Sequence, residues 1–342
     1  MKNKNVYFFD STIKKFVTSA TQKIIQKDLR LPVKKNANVN QSSFERLYGK
    51  RFKHLNLEGE IKKIDLPNGS FNGCIINNIF DENGFICAFR ISADSISLCK
   101  LDKKLNVIPL TIFNLNLNHA TDPRLIWTEK NELLMIYSYH ENNVEEEHIV
   151  GTIVMNDKNN FIKGARERIS PPTLKSRQKN WVPFKYGKEI YFVAEVNPHR
   201  IYKMNSDKLD CAELVYSFDW RSKWFNKEHM RGSSSPILID EETYLGTFHT
   251  AEKKNNISFY DNGFYTFKAS PPFNILSCSS TPFLSAESAQ EKRIRSTNIV
   301  CPFVVGMIKN GDSVHISYGD NDSAAKVLTV SLSELKDYLH IK

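Results

Sequence analysis

The chain has 342 residues, 41% of them hydrophobic and 25% charged, with 14 glycines and 13 prolines, a globular composition that excludes collagen-like, low-complexity and wholly disordered chains. No apolar run reaches the roughly 18 residues a membrane-spanning helix needs, since the stretch Ile299 to Ile308 is broken by Pro302 and Gly306. The net charge of +9 is concentrated at one end: residues 1–65 hold 15 Lys+Arg against 6 Asp+Glu, and the rest of the chain holds 32 of each sign.

The start, MKNKNVYFFDSTIKK, lacks the apolar core and small-residue cleavage site of a secretory signal, so the expected location is the cytosol. Ile13, Phe16, Val17, Ala20 and Ile24 recur at helical spacing while Lys14, Lys15, Lys23 and Lys27 occupy other faces, which predicts a basic amphipathic helix. Such a helix either packs on the main domain with a solvated lysine face or makes a peripheral contact with an anionic membrane. The stacking aromatics and motif spacings of nucleic-acid modules are missing, and nucleic acid is not an expected partner. Residues 1–65 are therefore assigned to a basic extension and residues 66–342 to one main domain. The six cysteines, Cys74, Cys87, Cys99, Cys211, Cys278 and Cys301, form no CxxC pair, a pattern of reduced, buried thiols rather than of a zinc knuckle.

From about residue 66 the chain becomes a succession of short β-branched and aromatic runs broken by Gly, Asn and Asp, the pattern of an all-β domain. Five units share a layout of two β runs around a turn: CIINNIFDENGFICAFRI, DPRLIWTEKNELLMIYSY, NWVPFKYGKEIYFVAEV, SPILIDEETYLGTFHT and CPFVVGMIKNGDSVHISYG. Taking Asn72, Asp122, Asn180, Ser234 and Cys301 as equivalent starts, the steps are 50, 58, 54 and 67 residues. That spacing suits four-stranded blades that bury their faces only against one another. The expected fold is an all-β, five-bladed β-propeller with a basic, partly helical N-terminal extension. Ser206 to Arg231, with Trp220 and Trp224, reads as a long inter-blade loop, and SLSELKDYLHIK as a short C-terminal helix capped by Ser331 or Ser333.

In a propeller the first strand of each blade lines a central channel, so the polar starts of the repeats converge on one pocket. They offer Asn72 with Arg90, Asp122 with Arg124, Lys179 and Asn180 with His199 and Arg200, Arg231 with His249, and Tyr318 with Asp320 and Asp322. A carboxylate encircled by cations is the arrangement for an anionic ligand, with arginine forks suited to phosphate. Structural readings stand beside these. Asp122 before Pro123 can simply start a turn, Arg90 can brace its own blade, Arg124 and Arg231 can pair between blades, and His199 or His249 can be core histidines. Tyr318 and Asp322 can close a hairpin, and Trp181, Trp220 and Trp224 can be core aromatics instead of sugar platforms. The His and carboxylate residues show no ligand spacing on a single element, so no metal is expected.

At these residues the sequence resembles glycoside hydrolase family 130, whose members are five-bladed propellers that include mannoside phosphorylases and related mannosyltransferases. TDPRL resembles the family's EDPR motif. FNGCIIN with the later FRI resembles its Asn-Pro opening and blade-one Arg, KNW with HR its Lys-Asp segment and His-Arg pair, RGSSSPIL with GTFHT its Gly-rich blade-four start and His, and SYGDND its C-terminal YGAAD. The resemblance covers roughly residues 70 to 335 and implies an enzyme of glycosyl transfer in which Asp122 is the general acid toward the glycosidic oxygen. It makes Arg124, Lys179, Arg200 and His249 candidate phosphate ligands; repeat position and residue type add Arg90, His199 and Arg231 to the phosphate or donor, and Asn72, Asn180, Trp181, Tyr318 and Asp322 to the sugar.

The chemistry agrees with that placement. Cations fix an otherwise repelled phosphate nucleophile, and one carboxylate suffices where phosphate replaces the activated water of an inverting hydrolase. The implied substrates are a sugar-phosphate or nucleotide-sugar donor and a glycan acceptor, with phosphate or nucleotide as co-substrate and no other cofactor, in a role in glycan biosynthesis. Thr121 stands where the family has Glu and Gly73 where it has Pro, which leaves the sugar open, together with the choice among free phosphate, sugar 1-phosphate and nucleotide sugar. Two alternatives remain: a hydrolase of the same fold using Asp320 or Asp322 as a second carboxylate, about 6.5–9.5 Å from Asp122, and a carbohydrate-binding propeller without catalysis.

Overall fold

The computed structural model describes residues 57–339 except positions 58, 83, 92–94, 118, 141–146, 158–159, 170–179, 206–211, 221–229 and 292–298. The predicted basic helix at 13–24 lies outside the described residues. The chain first forms strand β1 (Glu60–Lys63), then four sheets in sequence. The first is β2 (Ser70–Asn77), β3 (Phe85–Ile91), β4 (Ser95–Leu101) and β5 (Phe113–Asn114). The second is β6 (Ala120–Trp127), β7 (Leu133–His140), β8 (Glu147–Asp157) and β9 (Asn160–Ile169), and the third β10 (Val182–Tyr186), β11 (Glu189–Glu195), β12 (His199–Met204) and β13 (Ala212–Phe218). The fourth has six strands, β14 (Arg231–Gly232), β15 (Ile237–Leu238), β16 (Thr243–Lys254), β17 (Ile257–Lys268), β18 (Ile275–Cys278) and β19 (Ile299–Val300).

A fifth sheet, β20 (Pro302–Asn310), β21 (Ser313–Asp320) and β22 (Ala324–Ser331), takes β1 as its outer strand, with Glu60 opposite Thr329 and Lys63 opposite Lys326. A strand from before residue 66 thus completes the last blade. The propeller begins earlier than the sequence reading placed it, and the ring is closed by backbone hydrogen bonds rather than by packing alone. Neighbouring blades touch all the way round, β2 on β6, β6 on β10, β11 on β14, β16 on β20 and β20 on β2. Between them lie apolar clusters, among them Trp181, Ile126, Phe192 and Tyr202 between the second and third blades.

One expectation about the loops changes and the C-terminal helix is found where expected. Ala212–Phe218, expected within a long inter-blade loop, is β13, the outer strand of the third blade. The C-terminal helix, α1 (Leu332–Leu339), is capped by Ser331, whose Oγ accepts from the Glu334 N–H at 3.0 Å. The helix places Leu335 and Leu339 in the cluster between the fourth and fifth blades. The five described cysteines are free thiols, four of them buried.

The inner strands bulge where the site begins. Pairing of β2 with β3 slips between Phe71 and Cys74, and that of β6 with β7 between Thr121 and Arg124. Asn72 (φ 50°), Asp122 (φ 53°) and Asn180 (φ 62°) each take the left-handed conformation at the head of an inner strand. Asn and Asp are the non-glycine residues that tolerate it best. The extra residue in each bulge turns one side chain toward the channel axis.

Candidate functional site

Asp122 lies in the bulge of β6. Its Oδ1 lies 3.4 Å from Asn72 Nδ2 of the first blade and 3.5 Å from Arg90 Nη1 on β3. Arg90 and Asp122 keep only 12% and 14% of their side-chain surface exposed, so the pair is little screened, and the Arg90 guanidinium lies 4.7 Å from the Phe71 ring centroid. Asn72 is wedged in place: a Cβ on Gly319 of β21 would collide with the Asn72 side-chain oxygen. That glycine lets the last blade approach the first closely enough to shape the channel mouth.

Arg124 follows two residues after Asp122 and is 1% exposed. Its Nη1 donates to the backbone carbonyls of Asp122 (3.0 Å) and Pro123 (3.1 Å), and its guanidinium lies 5.5 Å from the Phe303 ring centroid on β20. Burial pushes its pKa down and Asp122 pulls it back. The Nε and Nη2 of Arg124 and the Oδ1 atoms of Asn72 and Asn180 are buried without a hydrogen-bond partner among the described residues. Unmet buried donors and acceptors around one carboxylate are the mark of a site whose partner is a ligand.

The opposite wall is built on the fourth blade. His249 of β16 has its Nδ1 2.9 Å from Ser233 Oγ and its Nε2 3.5 Å from Asn180 Nδ2. Its ring stacks on Tyr260 of β17 (5.6 Å, 23°) and meets Phe303 edge-on (5.0 Å). Arg231 pairs with His249 across β14 and β16. Burial raises the Tyr260 hydroxyl pKa, Cys301, Asp122 and Asp322 add to the rise, and Arg231 opposes it. Those charges therefore surround one phenol. Asp322, in the β21–β22 turn with φ 51°, joins the site, whereas Asp320 does not. Buried and bonded to Lys326 Nζ at 2.8 Å and to the Gln290 and Glu291 N–H groups, Asp320 is a structural carboxylate.

Several expected ligands lie elsewhere. Trp181, 1% exposed, stacks on Tyr202 at 4.5 Å in the core, so its faces are covered and cannot serve a sugar. Tyr318, 2% exposed, belongs to the apolar cluster of the fourth and fifth blades, where burial raises its hydroxyl pKa. His199, fully buried against Phe218 and Phe267, has its imidazole pushed down to about 3 by burial, which removes the charge a phosphate ligand would use. Arg200 is paired with Glu195 Oε2 at 2.6 Å across β11 and β12. Trp220 donates its indole N–H to the Val196 carbonyl. Lys179 and Trp224 lie outside the described residues.

The chain matches no protein-family model and no curated protein by sequence. Its fold has solved counterparts. The β-1,2-mannobiose phosphorylase from Listeria innocua superposes with a TM-score of 0.55 at 16% identity, over 82% of this chain and 94% of its own. MPT-4, a mannose phosphorylase from Leishmania mexicana in complex with phosphate ion, gives 0.54 at 11% identity over 87% and 93%. A glycosyl hydrolase from Bacteroides ovatus gives 0.55 at 12% identity over 77% and 84%. These likenesses establish a shared fold.

Three members of the site escaped the sequence reading: Tyr260, Ser233 and Phe303. A signal for Tyr260 was present in KKNNIS. Asn255 and Asn256 both take positive φ and form a two-residue hairpin turn that fixes His249 opposite Asn262 and Ala251 opposite Tyr260. Tyr260 therefore shares a face with His249. Among the described residues no group of three or more His, Cys, Asp or Glu is placed to hold a metal ion, and no helix is long and apolar enough to cross a membrane.

Proposed function

We propose that the protein is a carbohydrate-active enzyme that transfers a glycosyl group between a sugar oxygen and phosphate, as a glycoside phosphorylase or a glycosyltransferase. The observation that carries this reading is the Asp122 carboxylate, paired with Arg90 while Arg124 holds the Asp122 backbone carbonyl, among buried polar atoms that lack a partner among the described residues. In the phosphorolytic direction a phosphate oxygen attacks the anomeric carbon, the glycosidic C–O bond breaks, and the Asp122 carboxyl gives its proton to the departing oxygen. Arg90, Arg124, Arg231 and His249 neutralise and orient the phosphate, while Asn72, Asn180 and Asp322 face the sugar. Two of the structural neighbours are phosphorylases, one of them in complex with phosphate ion, which supports this assignment.

A hydrolytic reading rests on Asp322, which acts on Tyr260 together with Asp122 and is the remaining candidate for activating water now that Asp320 is bound to Lys326. Phosphorus NMR of the protein with pooled sugar 1-phosphates, nucleotide sugars and glycan acceptors separates these readings. Release of inorganic phosphate or nucleotide that requires an acceptor, and disappears in Asp122→Asn, is the expected result. Free sugar released from the glycans without any phosphorus change overturns it in favour of hydrolysis. Glycan binding without turnover points to a non-catalytic module.

A further inference from the structure

The end of the channel away from Asp122 has a different character. The inner strands that begin at the site run on to enclose an apolar cavity of about 340 Å³, walled by Ile76, Ile126, Phe184, Ile237, Met307 and Ile308. The turns joining first to second strand of each blade lie at this end, where Leu238 of β15 lines the cavity and is 46% exposed, and Ile79 (43%), Phe80 (42%) and Tyr186 (37%), on or beside the turns, add exposed apolar surface. A cavity continuous with exposed apolar residues marks an interaction surface. The same turns, residues 78–84, 128–132, 187–188, 239–242 and 311–312, hold eight carboxylates against two lysines, and with Lys185 and Lys309 of the cavity wall the mouth still carries eight against four. Lys185 at the cavity wall is itself paired with Glu129.

A fitting occupant is an apolar face framed by positive charge. Residues 13–27 have it: Ile13, Phe16, Val17, Ala20 and Ile24 recur at helical spacing, and the stretch holds four lysines and no carboxylate. The path of the chain agrees. Leu57 is buried beside Leu335 and Leu339 of α1, and Glu60 pairs with Thr329 near the end of β22, where Ser331 pairs with Ser313 next to the 311–312 turn. The chain therefore enters β1 from the cavity side of the propeller. The outer strand stands about 15 Å from the channel, three strand spacings, and the 29 residues from 28 to 56 span up to roughly 95 Å when extended.

We propose that the basic amphipathic segment 13–27 docks on the acidic, apolar mouth of the channel opposite Asp122, in the same molecule. A bilayer of anionic lipid meets the wrong charge on this face, because the carboxylates that attract lysines repel lipid phosphates.

The test is zero-length carbodiimide cross-linking of the dilute full-length chain, with the monomer fraction digested and sequenced by mass spectrometry. The expected result is isopeptide links from Lys14, Lys15, Lys23 or Lys27 to Asp81, Glu82, Glu241 or Glu242. These links fall about tenfold when salt is raised to about 0.5 M, where the Debye length shrinks below a lysine's reach. They vanish in the chain carrying K14E, K15E, K23E and K27E, and links with amine and carboxylate exchanged form between the same two regions when E82K, E241K and E242K are added to it, with circular dichroism unchanged throughout. Links confined to the dimer fraction overturn the proposal in favour of a second copy. Links spread evenly over carboxylates of the outer strands overturn it in favour of an undocked segment. Capture of the full-length chain by anionic vesicles, with the links lost, overturns it in favour of a membrane surface.

Discussion

Ser233 Oγ lies 2.9 Å from His249 Nδ1, and both residues are buried. The hydroxyl occupies one ring nitrogen and leaves Nε2 as the face toward Asn180, so Ser233 fixes how the imidazole meets a ligand. Ser233→Ala removes a buried hydrogen bond worth about 1 kcal/mol, roughly fivefold in affinity. Phosphate affinity by calorimetry should drop by that amount, and Ser233→Thr should restore it. Unchanged affinity in Ser233→Ala shows that His249 takes no part in anion binding.

Asp122→Asn separates chemistry from folding. Asparagine accepts the left-handed φ of 53° at this position, so the melting temperature should stay near that of the parent. Loss of the proton donor should lower turnover by roughly 10²–10⁴-fold. Asp122→Ala adds about 1–2 kcal/mol of backbone strain and should lose stability as well. Turnover followed by phosphorus NMR beside thermal unfolding distinguishes the two variants.

Gly319→Ala tests how the last blade shapes the site. The new methyl group collides with the Asn72 side chain, and overpacking of this kind costs about 1–3 kcal/mol. Turnover should fall together with stability because Asn72 lies 3.4 Å from Asp122. A variant with parental turnover and unfolding temperature would falsify the close approach.

Much of the fold could be read from the sequence because each blade carries its own hairpin turn. The KNGD turn, with Gly311 at φ 59°, and the YGKE turn, with Gly187 at φ 60°, both stand where the turn residues put them. Blade closure was not legible, since EIKK at Glu60–Lys63 has the composition of an exposed edge and becomes a strand only by pairing with β22. In the site, Asn72, Asp122 and Asn180 were legible because repeat position and residue type coincide. Trp181 and His199 were misplaced for one reason: a side chain next to a channel residue on an inner strand, or a polar residue on a middle strand, can point into the inter-blade core. In the third blade the alternation that decides this is broken by register shifts at Val193/Glu195 and Ile201/Tyr202, which pairing reveals and sequence does not.

Asp320 and Lys326 should behave as a structural pair. Both are almost fully buried, 2.8 Å apart, and removing one partner strands the other charge at a cost of about 3–5 kcal/mol. Lys326→Met should therefore lower unfolding stability by that order. Denaturant titration measures it. If Asp320→Asn instead leaves stability intact and abolishes turnover, Asp320 is a catalytic base and the hydrolytic reading gains its second carboxylate.

His199 sets a pH dependence of stability with a definite sign. Burial holds its folded imidazole near about 3, below the ordinary 6.5, so between those values the unfolded chain binds the proton and the folded chain does not. Stability contributed by the neutral ring is fully present above about pH 6.5 and declines as pH falls toward 3, and a shift of this size corresponds to up to roughly 4–5 kcal/mol. His315, lowered by burial as well, acts in the same direction. Replacing the buried ring by another of similar shape, His199→Phe, removes the titrating group and leaves its contacts with Phe218, Tyr265 and Phe267 in place. Chemical denaturation at intervals from pH 7 to pH 4 should show a shallower loss of stability for His199→Phe than for the parent; equal slopes would mean that His199 is protonated in the folded chain, paired with a group that holds its charge.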